Sequence, residues 1–362
     1  MKICFLAGAD SIHSKRWIEY FTKKRNEVHW ISLTKNCFEE IKDIKFYLLK
    51  QFSSKLLDII FNIVSFRKLI RKIKPDILHA HYAGVNGVIA ALSGFHPFVL
   101  TAWGSDILIA TKSKAVKLLV KFALKRADLI TCDAVHMKEA MIKLGVPNSK
   151  IKIIYFGVDT QKFSPGPKNE ELIKKLNIEN DPIIISLRSF DPIYNVETLI
   201  RAIPLVLKEF PTAKFIIGGK GPEEQKLKKM AKSLEISDSI RFIGWILNNE
   251  LPKYLKTADI YISTSLSDAG ISSCTAEAMA VGLPVVITNT GENEKWVEDN
   301  KSGFLIPVKN SEILAEKIIC LLEDENKKDN FKKAGIEMIE KNNSYYGEME
   351  KMEKIYEELV RK

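Results

Sequence analysis

The chain has 362 residues, 46% hydrophobic and 28% charged, with a formal net charge of +10. That length accommodates two domains of ordinary size, and that balance belongs to a globular chain in water. No run reaches the ~18 apolar residues of a membrane span, and five cysteines scattered without a CxxC pair fit a reducing cytoplasm and argue against structural zinc.

The opening MKICFLAGAD reads as a first strand and its turn, its apolar part being too short for a signal peptide. Strands are predicted at Lys2–Ala7, Glu27–Ser32, Asp76–Ala80, Phe98–Ala102, Asp128–Cys132 and Lys152–Tyr155, with helices between them such as Lys15–Lys24 and Ala115–Arg126. Residues 1–160 carry 26 Lys and Arg against 13 Asp and Glu; the remainder carries 29 against 32. So uneven a charge points to a polyanion for the first half. The stretch Lys45–Lys74 holds eight Lys and Arg, a single acid, Asp58, and many Phe, Leu and Ile. Read as a basic amphipathic helix, it suits an anionic bilayer interface or an ordinary core-facing helix. With no helix-turn-helix, zinc-finger or RNP-type signature, no nucleic-acid partner is expected.

Ser164–Asp181 opens on two prolines and a glycine and reads as a linker. The alternation then restarts, with strands at Ile183–Leu187, Lys214–Ile217, Ile240–Ile243, Asp259–Ser263, Pro284–Thr288 and Gly303–Ile306. The expectation is α/β: two doubly wound parallel sheets in tandem, with ligands at the carboxyl ends of the strands. The run Glu323–Asn330 reads as a solvated loop or helix end. From Asn343 to Lys362, Tyr345, Met349, Met352, Tyr356 and Leu359 recur at helical spacing, a stripe suited to the protein's own core.

Asp268–Pro284, DAGISSCTAEAMAVGLP, is the richest stretch. Its small-residue loop enters a helix, where the amides of Ser273, Cys274 and Thr275 offer an anion site. Glu277, one turn in, suits sugar hydroxyls. Arg188, at a strand end, suits diphosphate oxygens. Gly218, Gly219 and Gly221 follow a strand, with Lys220 among them, and glycines there permit close backbone approach. Gly8, Asp10, His13 and Arg16 surround the first strand-helix turn. His79 and His81 share a face of one strand, with His81 nearer its carboxyl end.

Several segments in order resemble a retaining glycosyltransferase of GT-B fold, of the group 1 (family 4) kind. They are the Gly8 loop, DILHAHY (Asp76–Tyr82), LTAWGSD (Leu100–Asp106), YFGVDTQKFSP (Tyr155–Pro165), FIIGGKGPE (Phe215–Glu223), ADIYISTS (Ala258–Ser265) and EAMAVGLPVV. The resemblance implies two Rossmann-like domains facing a central cleft: an acceptor-side domain over 1–163, a donor-binding domain over 164–343, and a last helix, 344–362, folding back on the first. It implies sugar transfer from a nucleoside-diphosphate sugar to a lipid-linked or polysaccharide acceptor in cell-envelope glycan synthesis. Such an enzyme would be cytoplasmic and peripheral to the membrane through Lys45–Lys74. No metal or other cofactor is expected, since no Asp-x-Asp pair occurs. A GT-B epimerase or phosphorylase, or a non-catalytic nucleotide- or glycan-binding protein, is the alternative.

Residue by residue, the resemblance assigns Glu277 to ribose hydroxyls and Gly8, Arg188, Asn195, Gly219, Lys220, Asp268 and Ser273–Thr275 to the donor. The acceptor side falls to His13, Arg16, His81 and Trp103, and catalysis to Asp106 and Arg188. Three positions depart from the pattern. Ala269 stands where a sugar-contacting Glu is usual, with Asp268 beside it as a shorter replacement. The Lys that usually partners the phosphate Arg is replaced near Tyr194–Asn195. Trp103 stands where a His is common, leaving Asp106 as the best-placed carboxylate of the first domain.

Overall fold

The structure, a computed structural model, describes residues 1–35, 41–49, 55–179, 181–268 and 270–361. It divides into two compact units, Met1–Phe156 with Tyr346–Lys362, and Gly157–Tyr345. The first holds seven parallel strands: β1 Lys2–Leu6, β2 Glu27–Ser32, β3 Ile44–Leu48, β4 Ile77–His81, β5 Phe98–Thr101, β6 Leu129–Cys132 and β7 Ile151–Ile153, in the order β3-β2-β1-β4-β5-β6-β7. The second holds six: β8 Ile183–Leu187, β9 Lys214–Gly218, β10 Ile240–Gly244, β11 Ile260–Ser263, β12 Val285–Thr288 and β13 Phe304–Ile306, in the order β10-β9-β8-β11-β12-β13.

Helices cover both faces of each sheet, which is why β4, β8 and β12 are buried throughout and why β8 and β12 are almost wholly apolar, while β4 buries His79 and His81 among apolar neighbours. In the first unit Leu6, Leu78 and Leu100 pack with Phe66, Ile89, Val120 and Leu124. Those four lie on the helices Lys55–Ile73, Val85–Ser93 and Lys114–Arg126. The last helix, Tyr345–Arg361, buries Met349, Met352 and Tyr356 in this unit. Tyr356 lies against Phe21, with ring centroids 4.9 Å apart, and its hydroxyl is hydrogen-bonded to His79 Nδ1. Strand order reverses between β1 and β4 in one sheet and between β8 and β11 in the other. The carboxyl ends of these pairs are where a doubly wound sheet opens a crevice.

The Lys45–Lys74 stretch is not one helix. Ile44–Leu48 is an edge strand paired with β2, Lys45 opposite His29, and the Lys45 ammonium lies 2.7 Å from Glu27. Alternation of Ile44, Phe46 and Leu48 with Lys45 and Tyr47 is the strand period, outvoted in the expectation by the basic run beyond it. Residues 50–54 of the stretch lie outside the described ones, and the helix begins at Lys55. The linker also contains structure: Asn169 caps the helix Glu170–Leu176 by accepting from Leu172 N at 2.8 Å, and Leu172 and Ile173 are buried.

Candidate functional site

In the second unit the site is built on the chain leaving β8. Arg188 is the first residue beyond that strand, and its Nη2 donates to Asp268 Oδ1 at 2.7 Å, the Asp268 side chain being buried and that of Arg188 only 10% exposed. The guanidinium carbon lies 4.3 Å from the centre of the Tyr194 ring. Burial is the strongest influence and works against the Arg188 charge, but Asp268 together with Tyr261, Cys274 and Tyr194 outweighs it, so the group stays protonated. Nε of Arg188 has no acceptor among the described residues, a buried donor left without a partner. The second oxygen of Asp268 meets Asn293 Nδ2 at 3.5 Å. Ala269, the expected departure, lies outside the described residues.

The helix Ser273–Ala280 starts alongside. Ser272 is its cap and accepts from Thr275 N at 3.3 Å, so the Thr275 amide is taken, while Ser273 and Cys274 hold first-turn amides without an intrahelical acceptor. Cys274 feels both Arg188 and Asp268; burial, then the Glu277 charge, pushes its thiol up to about 12. It is not a nucleophile at neutral pH. Glu277, half-buried, lies one turn along.

The glycines after β9 serve the protein's own backbone. A Cβ at Gly219 would overlap the Arg188 carbonyl oxygen, and one at Gly221 would come within 2.6 Å of the Phe190 carbonyl carbon. Phe190 N and Ser189 Oγ donate to Lys220 O at 3.0 and 2.9 Å, while the Lys220 side chain is exposed. This loop therefore braces the one carrying Arg188. Asn195, in the left-handed region at φ 46°, turns its side chain to Thr198 Oγ1 at 2.7 Å, and its carbonyl accepts from Thr264.

In the first unit the ends of β1, β4 and β5 hold a cluster of rings. Trp103 stacks on Phe156, ring centres 5.0 Å apart and planes 2° from parallel. His13 lies 4.2 Å from Phe156, and His81 sits edge-on to Trp17 and Trp103 at 5.3 and 5.2 Å. His81 Nδ1 is hydrogen-bonded to Ser14 Oγ at 3.1 Å, while His81 Nε2 and His13 Nδ1 are buried without partners among the described residues. Burial, then the Arg16 charge, takes His13 down to about 4; burial, then His13, takes His81 to about 3. Both are neutral imidazoles at physiological pH. His79 is fully engaged, with Thr101 Oγ1 at 2.6 Å from Nε2 and Tyr356 on Nδ1.

Asp106 is fully buried; its oxygens accept from Ala83 N at 2.6 Å and Trp103 N at 3.1 Å. Burial raises its carboxyl pKa against those backbone hydrogen bonds. These bonds pin the loop that presents Trp103. Gly8 lies in the turn after β1, where Ala9 N donates to Ser32 Oγ and Thr34 Oγ1 at 3.0 and 2.9 Å. Arg16 lies one turn beyond His13 on the helix Ile12–Lys23.

Two family models match the chain, "Glycosyl transferases group 1" over residues 168–338 and "Glycosyl transferase 4-like" over residues 2–134. This chain belongs to the group 1, family-4-like glycosyltransferases. The UDP-Gal:alpha-D-GlcNAc-diphosphoundecaprenol alpha-1,3-galactosyltransferase of Escherichia coli is 29% identical over 73% of this chain and 70% of its own length. The GDP-mannose-dependent alpha-(1-6)-phosphatidylinositol monomannoside mannosyltransferase of Mycobacterium tuberculosis is 25% identical over 67% of this chain and 66% of its own. The matches thus span about two thirds of these relatives. Among solved structures, Anabaena HepE in complex with UDP has a TM-score of 0.86 at 20% identity, covering 99% of this chain and 100% of that one. The sucrose-phosphate synthase of Thermosynechococcus elongatus has a TM-score of 0.82 at 17% identity, covering all of both chains. These likenesses establish the GT-B fold for this glycosyltransferase.

Arg188, Asn195, Gly219 and Asp268 thus stand together around the end of β8, and His13, His81 and Trp103 around the end of β4. Sequence reasoning missed Tyr194, Asn293, Phe156 and Trp17. Tyr194 had a signal: it stands where a second cation was expected and instead supports the first. Asn293 had none, being joined to Asp268 only by folding. Among the described residues no group of three or more His, Cys, Asp or Glu is placed to hold a metal.

Proposed function

We propose that the second unit holds a nucleoside-diphosphate sugar and the first unit presents a lipid-linked or glycan acceptor, the sugar being transferred with retention in envelope glycan synthesis. The observation that carries the donor half is Arg188: a buried, protonated guanidinium with Nε unpaired, beside the amide end of Ser273–Ala280. A diphosphate supplies the missing acceptor and draws on the same positive end of the helix. As the sugar–phosphate bond breaks, charge grows on the leaving oxygens, where Arg188 and the amides of Ser273 and Cys274 oppose it. Glu277 takes the ribose hydroxyls, and the exposed Lys220 reaches the phosphates from the β9 side. The reading calls on no metal or cofactor.

The acceptor half rests on the ring cluster. Trp103 and Phe156 offer an apolar platform for a sugar face, and the free nitrogens of His13 and His81 accept hydrogen bonds from hydroxyls. Lipid-linked substrates in the two relatives' names support that class, as does the basic charge of the first unit, which suits the anionic cytoplasmic face of a membrane. The relatives differ in donor base, so the reading commits to the donor class alone. A melting-shift screen across UDP-, GDP-, ADP- and dTDP-sugars tests it, since a tight ligand raises apparent stability. One nucleotide sugar raises the melting temperature of the native chain. In Glu277→Ala the affinity falls about tenfold or more, the worth of charge-assisted hydrogen bonds. Unchanged affinity in that variant, or no response to any nucleotide sugar, refutes the assignment.

A further inference from the structure

We propose that residues Ser105–Arg126 of the first unit form a docking face for an anionic lipid bilayer. The segment comprises the short helix Ser105–Leu108, the turn Ala110–Lys112 and the helix Lys114–Arg126. At about 100° per residue, Val120, Ala123 and Leu124 form one stripe of that last helix, and all three are buried in the core of the unit. The opposite side of an ordinary surface helix is polar. Here it carries Leu118, 70% exposed, and Phe122, 38% exposed, with Leu119 at 52% on its shoulder. Ile109, in the preceding turn, is 63% exposed.

The charges around these apolar tips choose the partner. Residues 107–127 contain six Lys and Arg and no Asp or Glu. Lys114, Lys121 and Lys125 flank the line of Leu118 and Phe122, all exposed. A second copy of the chain would set like charge against like. A nucleic acid answers the cations but offers no apolar layer for Leu118 and Phe122. An anionic bilayer answers both, with lipid phosphates at the ammonium groups and acyl chains beneath the headgroups for the apolar tips. The neighbouring helix Val85–Ser93 packs against this one and begins with an exposed valine, Val85. The contact attributed to Lys45–Lys74 is thereby given to a different element. The inference deepens the membrane part of the proposed function, and its readout is independent of donor chemistry, so the two fail separately.

The test is sedimentation of the full chain with phosphatidylcholine vesicles, with and without phosphatidylglycerol. The native chain sediments with the anionic vesicles and releases in high salt. Leu118→Ser with Phe122→Ser, both on the surface and charge-neutral, keeps the native melting temperature and the nucleotide-sugar response but binds about tenfold more weakly. Phe122→Trp adds fluorescence that shifts to the blue on anionic vesicles and is quenched by brominated acyl chains. Undiminished binding by the double serine variant overturns the proposal. So does a vesicle-bound Phe122→Trp chain whose added fluorescence stays unquenched, or a native chain that ignores anionic vesicles. Concentration-dependent dimerisation abolished by the double variant also overturns it, in favour of a second copy.

Discussion

Arg188 is the residue on which the donor side turns, and its partner changes what Asp268 means. From the sequence, Asp268 was a shortened stand-in for a sugar-binding carboxylate. In the fold one oxygen is committed to Arg188 at 2.7 Å and the other approaches Asn293. Its immediate task is to keep a buried guanidinium charged and aimed, with the Tyr194 ring beneath it. Removing one member of a buried ion pair strands the other, which costs about 3–5 kcal/mol. Asp268→Ala is therefore expected to lower the melting temperature strongly at neutral pH. Arg188→Met combined with Asp268→Leu recovers most of that loss while abolishing the response to nucleotide sugars. An Asp268→Ala chain that melts like the native one shows that the pair does not hold this loop. The pairing was not legible in the sequence, because the two residues meet only when β8 and β11 lie side by side.

Among the elements, those with a strong period were legible and those with mixed signals were not. The buried runs of β8, β11 and β12 and the stripe of the last helix were placed close to where the fold has them. β3 was lost because five strand residues precede a long basic run and share its lysines. The last helix was read correctly as core-facing, yet its hydroxyl partner was invisible: Tyr356 reaches His79, 277 residues away in sequence, in a fully buried hydrogen bond. That bond satisfies an imidazole nitrogen that water cannot reach. Tyr356→Phe keeps the ring against Phe21 and removes only the hydroxyl. The expected cost is about 1–3 kcal/mol, the penalty for an orphaned buried polar group. Differential hydrogen exchange checks it: protection falls in β1, β4 and the last helix and stays native in the second unit. The glycines after β9 carry a similar lesson. Their loop form was legible, but the close approach they permit is to the Arg188 and Phe190 backbone.

Over the whole molecule, the chemistry of pH is as unevenly placed as the net charge. All six histidines, His13, His29, His79, His81, His96 and His136, lie in the first unit. Burial lowers four of them below the usual 6.5: His13 to about 4, His81 to about 3, and His29 and His79 by direction. A histidine with a depressed folded pKa binds its proton in the unfolded chain first. Its stabilising effect is complete above 6.5 and is lost as pH falls toward the folded value. For His81 alone the loss between 6.5 and about 3 is on the order of 5 kcal/mol. Asp106 runs the other way: burial favours its neutral form, so acid relieves it as pH falls from the raised folded value toward the unfolded 3.8, which offsets part of the histidines' loss. The second unit has no histidine, and a carboxylate there, Glu197, is depressed from 4.5 by Lys226 and Arg201, so its contribution fades only below that value. At pH 5 the two windows separate. Calorimetry is expected to show the first unit melting well below its temperature at pH 7.5 while the second unit moves little. His81→Gln removes part of the first unit's acid sensitivity. Equal displacement of both units between pH 7.5 and 5, or an unchanged slope in that variant, places the acid sensitivity elsewhere than in the buried imidazoles beneath the acceptor-side rings.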